Sequence, residues 1–183
     1  MSQTTIFFLA GDESFTVDFK NSFRGAMYVW NDIAKRYCGF DHFPSFSLDD
    51  QMEVWNFANN NPEKMPIHEA IVMASTMDKA LLEPDKWIEL VEAFEKYSLD
   101  HPDSSIGDQA AAIREAMESE KASLIKGIGW RQTSVCGDSL WEVWSEESDD
   151  YDAYCPNSSD EHFWIVGQAK DAYKEENLNQ TAE

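Results

Sequence analysis

Basic residues are scarce in this chain. Its 183 residues hold 14 Lys and Arg against 35 Asp and Glu, a formal net charge of −21 at pH 7. A small soluble domain ordinarily carries a charge of roughly 2–8 in magnitude, and self-repulsion at −21 works against the compact state. The shortage argues against direct binding to DNA, RNA or an anionic membrane, each of which is itself negative. It favours a basic protein surface as partner. Cysteine is scarce too. Cys38, Cys136 and Cys155 are an odd number at unrelated spacings with no CxxC, so no disulfide framework is expected and the cytoplasm is the expected compartment. No apolar run approaches the roughly 20 residues of a membrane span. The first residues, MSQTTIFFLAGDES, hold no base and only a five-residue apolar run, and are not expected to act as a signal peptide. P-loop, G-x-G-x-x-G and G-x-S-x-G motifs are all missing.

Aromatics are plentiful. They make up 13% of the chain, with 7 Trp and 11 Phe, which a disordered chain does not carry. The sequence therefore predicts a folded unit, a single globular domain over residues 1–176 with a polar, flexible tail over 177–183.

Residues 4–10 (TTIFFLA) are rich in β-branched and aromatic types, Gly11-Asp12-Glu13 is a turn signal, and residues 14–19 (SFTVDF) alternate. Together they predict an N-terminal hairpin. Residues 21–37 predict a helix capped by Asn21 or Ser22 and stopped by Gly39. An aromatic loop (FDHFPSF) follows. Ser47-Leu48-Asp49-Asp50 has capping-box character and opens a short helix with Met52, Trp55 and Phe57 or Ala58 inward. After Pro66, residues 67–82 (IHEAIVMASTMDKALL) predict a well-buried central helix. The next helix has Trp87, Leu90, Val91, Phe94 and Tyr97 on its inner stripe. Asp85, Glu89, Glu92 and Glu95 face outward, and Glu92 and Lys96 are spaced as a supporting pair. Ile106, Ala110, Ile113 and Met117 mark a fourth major helix. Residues 127–135 and 140–145 read as paired strands of a second hairpin, 162–166 (HFWIV) as another strand, and 170–176 as a last helical turn or two. The fold class that follows is α+β. One antiparallel sheet is built from the N-terminal hairpin and the C-terminal strands, with a central block of about four helices on one face.

The negative charge is clustered. Residues 48–101 carry 12 acids and 4 bases; residues 128–161 carry 9 acids and 1 base. The second region contains DSLWEVWSEESDDYDAYCPNSSDE, in which carboxylates alternate with Trp141, Trp144, Tyr151 and Tyr154. Carboxylates spaced along a loop or helix face imitate the charge of a phosphate backbone. Interleaved aromatics supply the rigid apolar anchors that dominate protein interfaces. The candidate partner-binding residues are Glu142, Trp144, Glu146, Glu147, Asp149, Asp150, Tyr151, Asp152 and Tyr154, with Glu89 and Glu92 on the helix before them.

Competing chemistries fit less well. Asp150, Asp152, Ser158 and Glu161 match calcium-loop positions one, three, nine and twelve, but position six, which needs glycine for its sharp turn, is Cys155. His42, His68, His101 and His162 form no zinc-ligand spacing with the cysteines. An activated thiolate needs positive neighbours, and Cys136 and Cys155 lie in one of the most negative stretches. No metal, cofactor or catalytic residue is therefore assigned. The reading is an acidic inhibitor or interaction protein that binds a basic, nucleic-acid-binding protein such as a nuclease or toxin. Two classes fit: a nucleic-acid mimic of the phage anti-CRISPR or anti-restriction type, and a toxin immunity protein. The alternatives are a small metal-dependent hydrolase using the acidic cluster at 149–162 and an acidic housekeeping domain. Repulsion between two such chains favours a monomer.

Overall fold

The structure is a computed structural model that describes residues 3–20, 24–44, 47–76, 80–132, 142–147 and 149–153. Strand β1 (Gln3–Leu9) and β2 (Phe15–Lys20) form the expected N-terminal hairpin. Gly11 has φ of 60° at its turn, and the Ser14 hydroxyl donates to the Gly11 carbonyl and accepts from the Ala10 amide. Helices α1 (Ala26–Tyr37), α2 (Leu48–Asn60) and α3 (Ile67–Thr76) follow, then β3 (Ala80–Leu82), α4 (Trp87–Asp100), α5 (Ile106–Glu118) and β4 (Gly127–Gln132). The sheet has the order β2-β1-β4-β3 with every pair antiparallel. A separate two-stranded sheet pairs β5 (Glu142–Ser145) with β6 (Asp150–Ala153). The α+β class and the antiparallel main sheet are as the sequence predicts.

The period-two alternation of the strands sets which side of the sheet is covered. Ile6 and Phe8 of β1, Leu82 of β3, and Ile128 and Trp130 of β4 are buried in one core with Trp30, Val72, Val91, Phe94 and Ile113 from the helices. In β2 the exposure alternates, with Phe15, Val17 and Phe19 packed on that core and Thr16, Asp18 and Lys20 outside. Leu9 and Leu81 have the opposite parity and are buried as well. They close over Gly127, where a Cβ would lie 2.8 Å from one Leu81 methyl. Inside the core the indole N–H of Trp130 donates to Gln109 Oε1 at 2.9 Å, tying α5 to the sheet.

Three expectations about elements need correction. Residues 67–82 are not one helix. Helix α3 ends at Thr76, and residues 80–82 leave it to become an edge strand. Ser75 and Thr76 turn their hydroxyls back onto the carbonyls of Ile71 and Val72, a local bond that competes with helix continuation. Leu81 and Leu82 gain nearly complete burial as strand residues. Second, the expected hairpin of 127–135 with 140–145 is not formed by its described residues, since β4 and β5 lie in different sheets. Both edges of β4 are taken, by β1 and β3, so β5 must find its partner in β6. Third, residues 150–153 are strand rather than an acidic loop.

Smaller differences are local. Helix α1 opens at Ala26 behind Gly25 instead of at Asn21 or Ser22, which lie outside the described residues. Its end is as expected, with Gly39 at φ 76°. Ser47 caps α2 by accepting from the Asp50 amide; Ala58 is buried as expected and Val54 with it, Met52 faces solvent, and the Trp55 side chain lies outside the described ones. Lys96 reaches Asp100 at 3.4 Å rather than pairing with Glu92. The expected strand at 162–166, the helical turn at 170–176 and the tail at 177–183 lie outside the described residues.

Candidate functional site

Two clusters of carboxylates stand out, and they are built differently. The first joins α1, α3 and α4. Helical spacing puts Tyr28, Asp32 and Arg36 on one face of α1. The Arg36 guanidinium donates through Nε to Asp32 at 2.9 Å and through a terminal nitrogen to the second Asp32 oxygen. The same fork reaches both oxygens of Glu69 on α3, at 3.1 and 2.8 Å. Tyr37 donates its hydroxyl to Glu69 at 2.9 Å, and Tyr97 of α4 donates to Asp32 at 3.2 Å. His101, the residue that ends α4, stacks on Tyr97 with ring centroids 4.4 Å apart and places Nε2 3.8 Å from Asp32. Beside it, His68 Nε2 lies 3.2 Å from Asp100.

The electrostatics follow from this packing. Burial alone would lower the pKa of Arg36, but its hydrogen bonds to Asp32 and Glu69 outweigh that and hold it well above the ordinary value. Burial, then the hydrogen bond to Glu69, pushes the Tyr37 hydroxyl up to about 12. Burial, then the Asp32 charge, raises Tyr97 further. Each carboxylate of the pair accepts at least three donors. Together these bonds tie α1 to α3 and to α4. Cys38, at the end of α1, has its thiol raised by burial and by Glu53, the reverse of what activates a thiolate.

The second cluster is the β5–β6 hairpin. Its register sets Trp144 opposite Tyr151, Val143 opposite Asp152, Glu142 opposite Ala153 and Ser145 opposite Asp150. The sequence DYDA can pair because it supplies one amide and one carbonyl per residue to a ladder, whatever its charge. Glu146, Glu147 and Asp149 lie in the turn and are exposed. Asp149 has φ of 53°, a left-handed conformation that Asp tolerates better than most residues. None of these three turn carboxylates has a base within ion-pair distance among the described residues.

The structure thus gathers Glu142, Trp144, Glu146, Glu147, Asp149, Asp150, Tyr151 and Asp152 into one hairpin. Tyr154 lies outside the described residues. Glu89 and Glu92 are elsewhere, on α4, the first half-buried and the second exposed. Among the described residues no strand pairing joins the hairpin to the main sheet, and no group of three or more His, Cys, Asp or Glu is arranged to hold a metal ion. No described helix is long and apolar enough to cross a membrane. The Asp32–Arg36–Glu69 clamp was missed by sequence reasoning. The spacing of Asp32 and Arg36 was a readable signal; Glu69, 33 residues farther on, gave none. No protein family, curated protein or solved structure matches the chain.

Proposed function

We propose that this chain is an acidic inhibitor or interaction protein that binds a basic, nucleic-acid-binding protein through the β5–β6 hairpin. One observation carries the reading. Glu146, Glu147 and Asp149 are exposed in a turn whose strands hold a Trp144–Tyr151 pair, and no Lys or Arg occurs between Arg131 and Lys170. Unneutralised carboxylates at a tip steer a cationic groove toward it and speed encounter. Aromatic anchors then slow dissociation. The partner is a nuclease or toxin in the cytoplasm, and the chain acts as a monomer because two copies of charge −21 repel.

The test begins with partners captured from a lysate of the producing cell. Reversal of the tip charges, with Glu146, Glu147, Asp149 and Asp150 each replaced by Lys, is expected to abolish capture while leaving the circular dichroism spectrum unchanged. Capture that is equal for both proteins, at low and moderate salt, would overturn the reading. Competition separates its two forms. A nucleic-acid mimic is displaced by duplex DNA with a steep salt dependence. An immunity protein instead silences its toxin's catalytic activity whether or not DNA is bound.

A further inference from the structure

Helix α4 presents a second surface that the hairpin does not explain. Its inner stripe, Leu90, Val91, Phe94 and Tyr97, is buried as an amphipathic helix requires. On the opposite side Ile88, Glu92, Glu95 and Leu99 recur at spacings of four, three and four, which places them within one narrow stripe. All four are exposed. Leu99 is 83% exposed, the largest value among the exposed large hydrophobics, and Ile88 is 53% exposed. Eleven residues of helix separate them, about 16 Å at 1.5 Å per residue. The stripe therefore has an apolar residue at each end and two carboxylates between.

Most of the charge around it is negative. Helix α4 holds Glu89, Glu92, Glu95 and Asp100 against Lys96 alone. Lys96 is drawn to Asp100. Arg114 of α5 reaches Glu95 at 2.7 Å, and Glu118 is within 3.8 Å of the same guanidinium. Glu92 has no base within ion-pair distance among the described residues. A second copy of this chain would bring acid against acid, and an anionic membrane would do the same. Charge complementarity favours a cationic occupant.

We infer that the Ile88–Glu92–Glu95–Leu99 stripe docks a basic amphipathic helix of a partner protein, with apolar residues seating at the two ends and Lys or Arg meeting the carboxylates between them. The inference rests on the proposal of a basic partner and adds where, and in what shape, that partner is held. Apolar ends give the stripe a fixed length, which a phosphate-like line of charge lacks. It therefore selects a helix by the separation of its apolar residues as well as by its charge.

The experiment uses two labelled synthetic peptides of equal charge, each about four helical turns long. One has leucines eleven positions apart with lysines between; the other has glutamine in place of both leucines. Binding is read by fluorescence anisotropy at low salt with the wild-type chain, an I88Q/L99Q variant and the hairpin charge-reversal variant. The wild type is expected to bind the leucine peptide about tenfold more tightly than the glutamine peptide. I88Q/L99Q is expected to lose that preference and keep the charge-driven binding, and the hairpin variant to keep the preference. Equal binding of both peptides to wild type, or a preference that survives I88Q/L99Q, overturns the stripe and leaves the basic-partner proposal standing. Binding of neither peptide overturns both. A wild-type dimer in sedimentation that I88Q/L99Q dissociates overturns the inference in favour of a second copy as occupant. Should the double variant misfold, Leu99→Gln alone gives the same reading.

Discussion

The two carboxylate clusters carry the same chemical groups and use them in opposite ways. At the α1–α3–α4 junction, Glu69 is only 5% exposed, and with Asp32 it is hydrogen-bonded by Arg36, Tyr37 and Tyr97. At the β5–β6 turn, Glu146, Glu147 and Asp149 are exposed and meet no base among the described residues. A buried carboxylate must be hydrogen-bonded or it destabilises the fold. An exposed one is solvated by water and free to meet a partner. Charge count alone does not separate them. Burial and the nearness of a guanidinium do, so the acids that hold the helices together are not the ones left exposed at the turn.

The largest expected effect comes from breaking the clamp. Glu69→Leu takes two acceptors from Arg36, which keeps its bonds to Asp32, and leaves the Tyr37 hydroxyl beside an apolar side chain. Because Arg36 keeps 35% of its side-chain exposure and so some water, the cost is expected at about 2–3 kcal/mol, below the range for a fully buried pair. Urea denaturation measures it. A loss that small surface substitutions would match, below about 0.5 kcal/mol, would show that the clamp does not hold the helices.

Alkaline pH probes the same junction less severely. The Tyr37 hydroxyl titrates at about 12 in the folded chain against 10.0 ordinarily. Its pKa is raised on folding, so its contribution to stability is complete below pH 10 and is lost as pH climbs from 10 to 12. Tyr97 shifts in the same direction. Tyr37→Phe is expected to flatten the fall of the urea midpoint across that window relative to wild type. An unchanged slope would remove Tyr37 from the clamp.

At the hairpin turn the expected stability effects are the smallest. Replacing Glu146, Glu147 and Asp149 together by Lys is expected to move unfolding by no more than about 0.5 kcal/mol per site, whereas partner capture is lost. A large destabilisation would make the turn structural and erase the contrast with Glu69. Calcium, magnesium and manganese are expected to leave the thermal midpoint unchanged, since no acids converge as a ligand set among the described residues and scattered carboxylates bind hydrated divalent ions weakly. A shift at micromolar metal would instead favour the hydrolase alternative.

Local pattern made the N-terminal hairpin, the cap at Ser47, the stop at Gly39 and the inner stripe of α4 legible, because each depends on neighbours within a few residues. The same reasoning ran Leu81 and Leu82 into a helix. Apolar residues are compatible with either state, and only the open edge of β4 makes the strand favourable. It also joined 127–135 to 140–145, since nothing local shows that β4 already has two neighbours. The acidic hairpin was legible as composition, but its Trp144–Tyr151 register was not, because register is a relation between segments.

Composition and order along the chain thus determined the charge of −21, its concentration in two regions and the α+β class, all of which need no contact between distant residues. Only the tertiary structure decided which acids are available. Glu69 and Glu146 read alike in sequence, and the difference between them is made by Arg36, 33 residues from Glu69 along the chain and 2.8 Å from it in space. Desolvation and pairing act through distance in space, and the sequence records distance only along the chain.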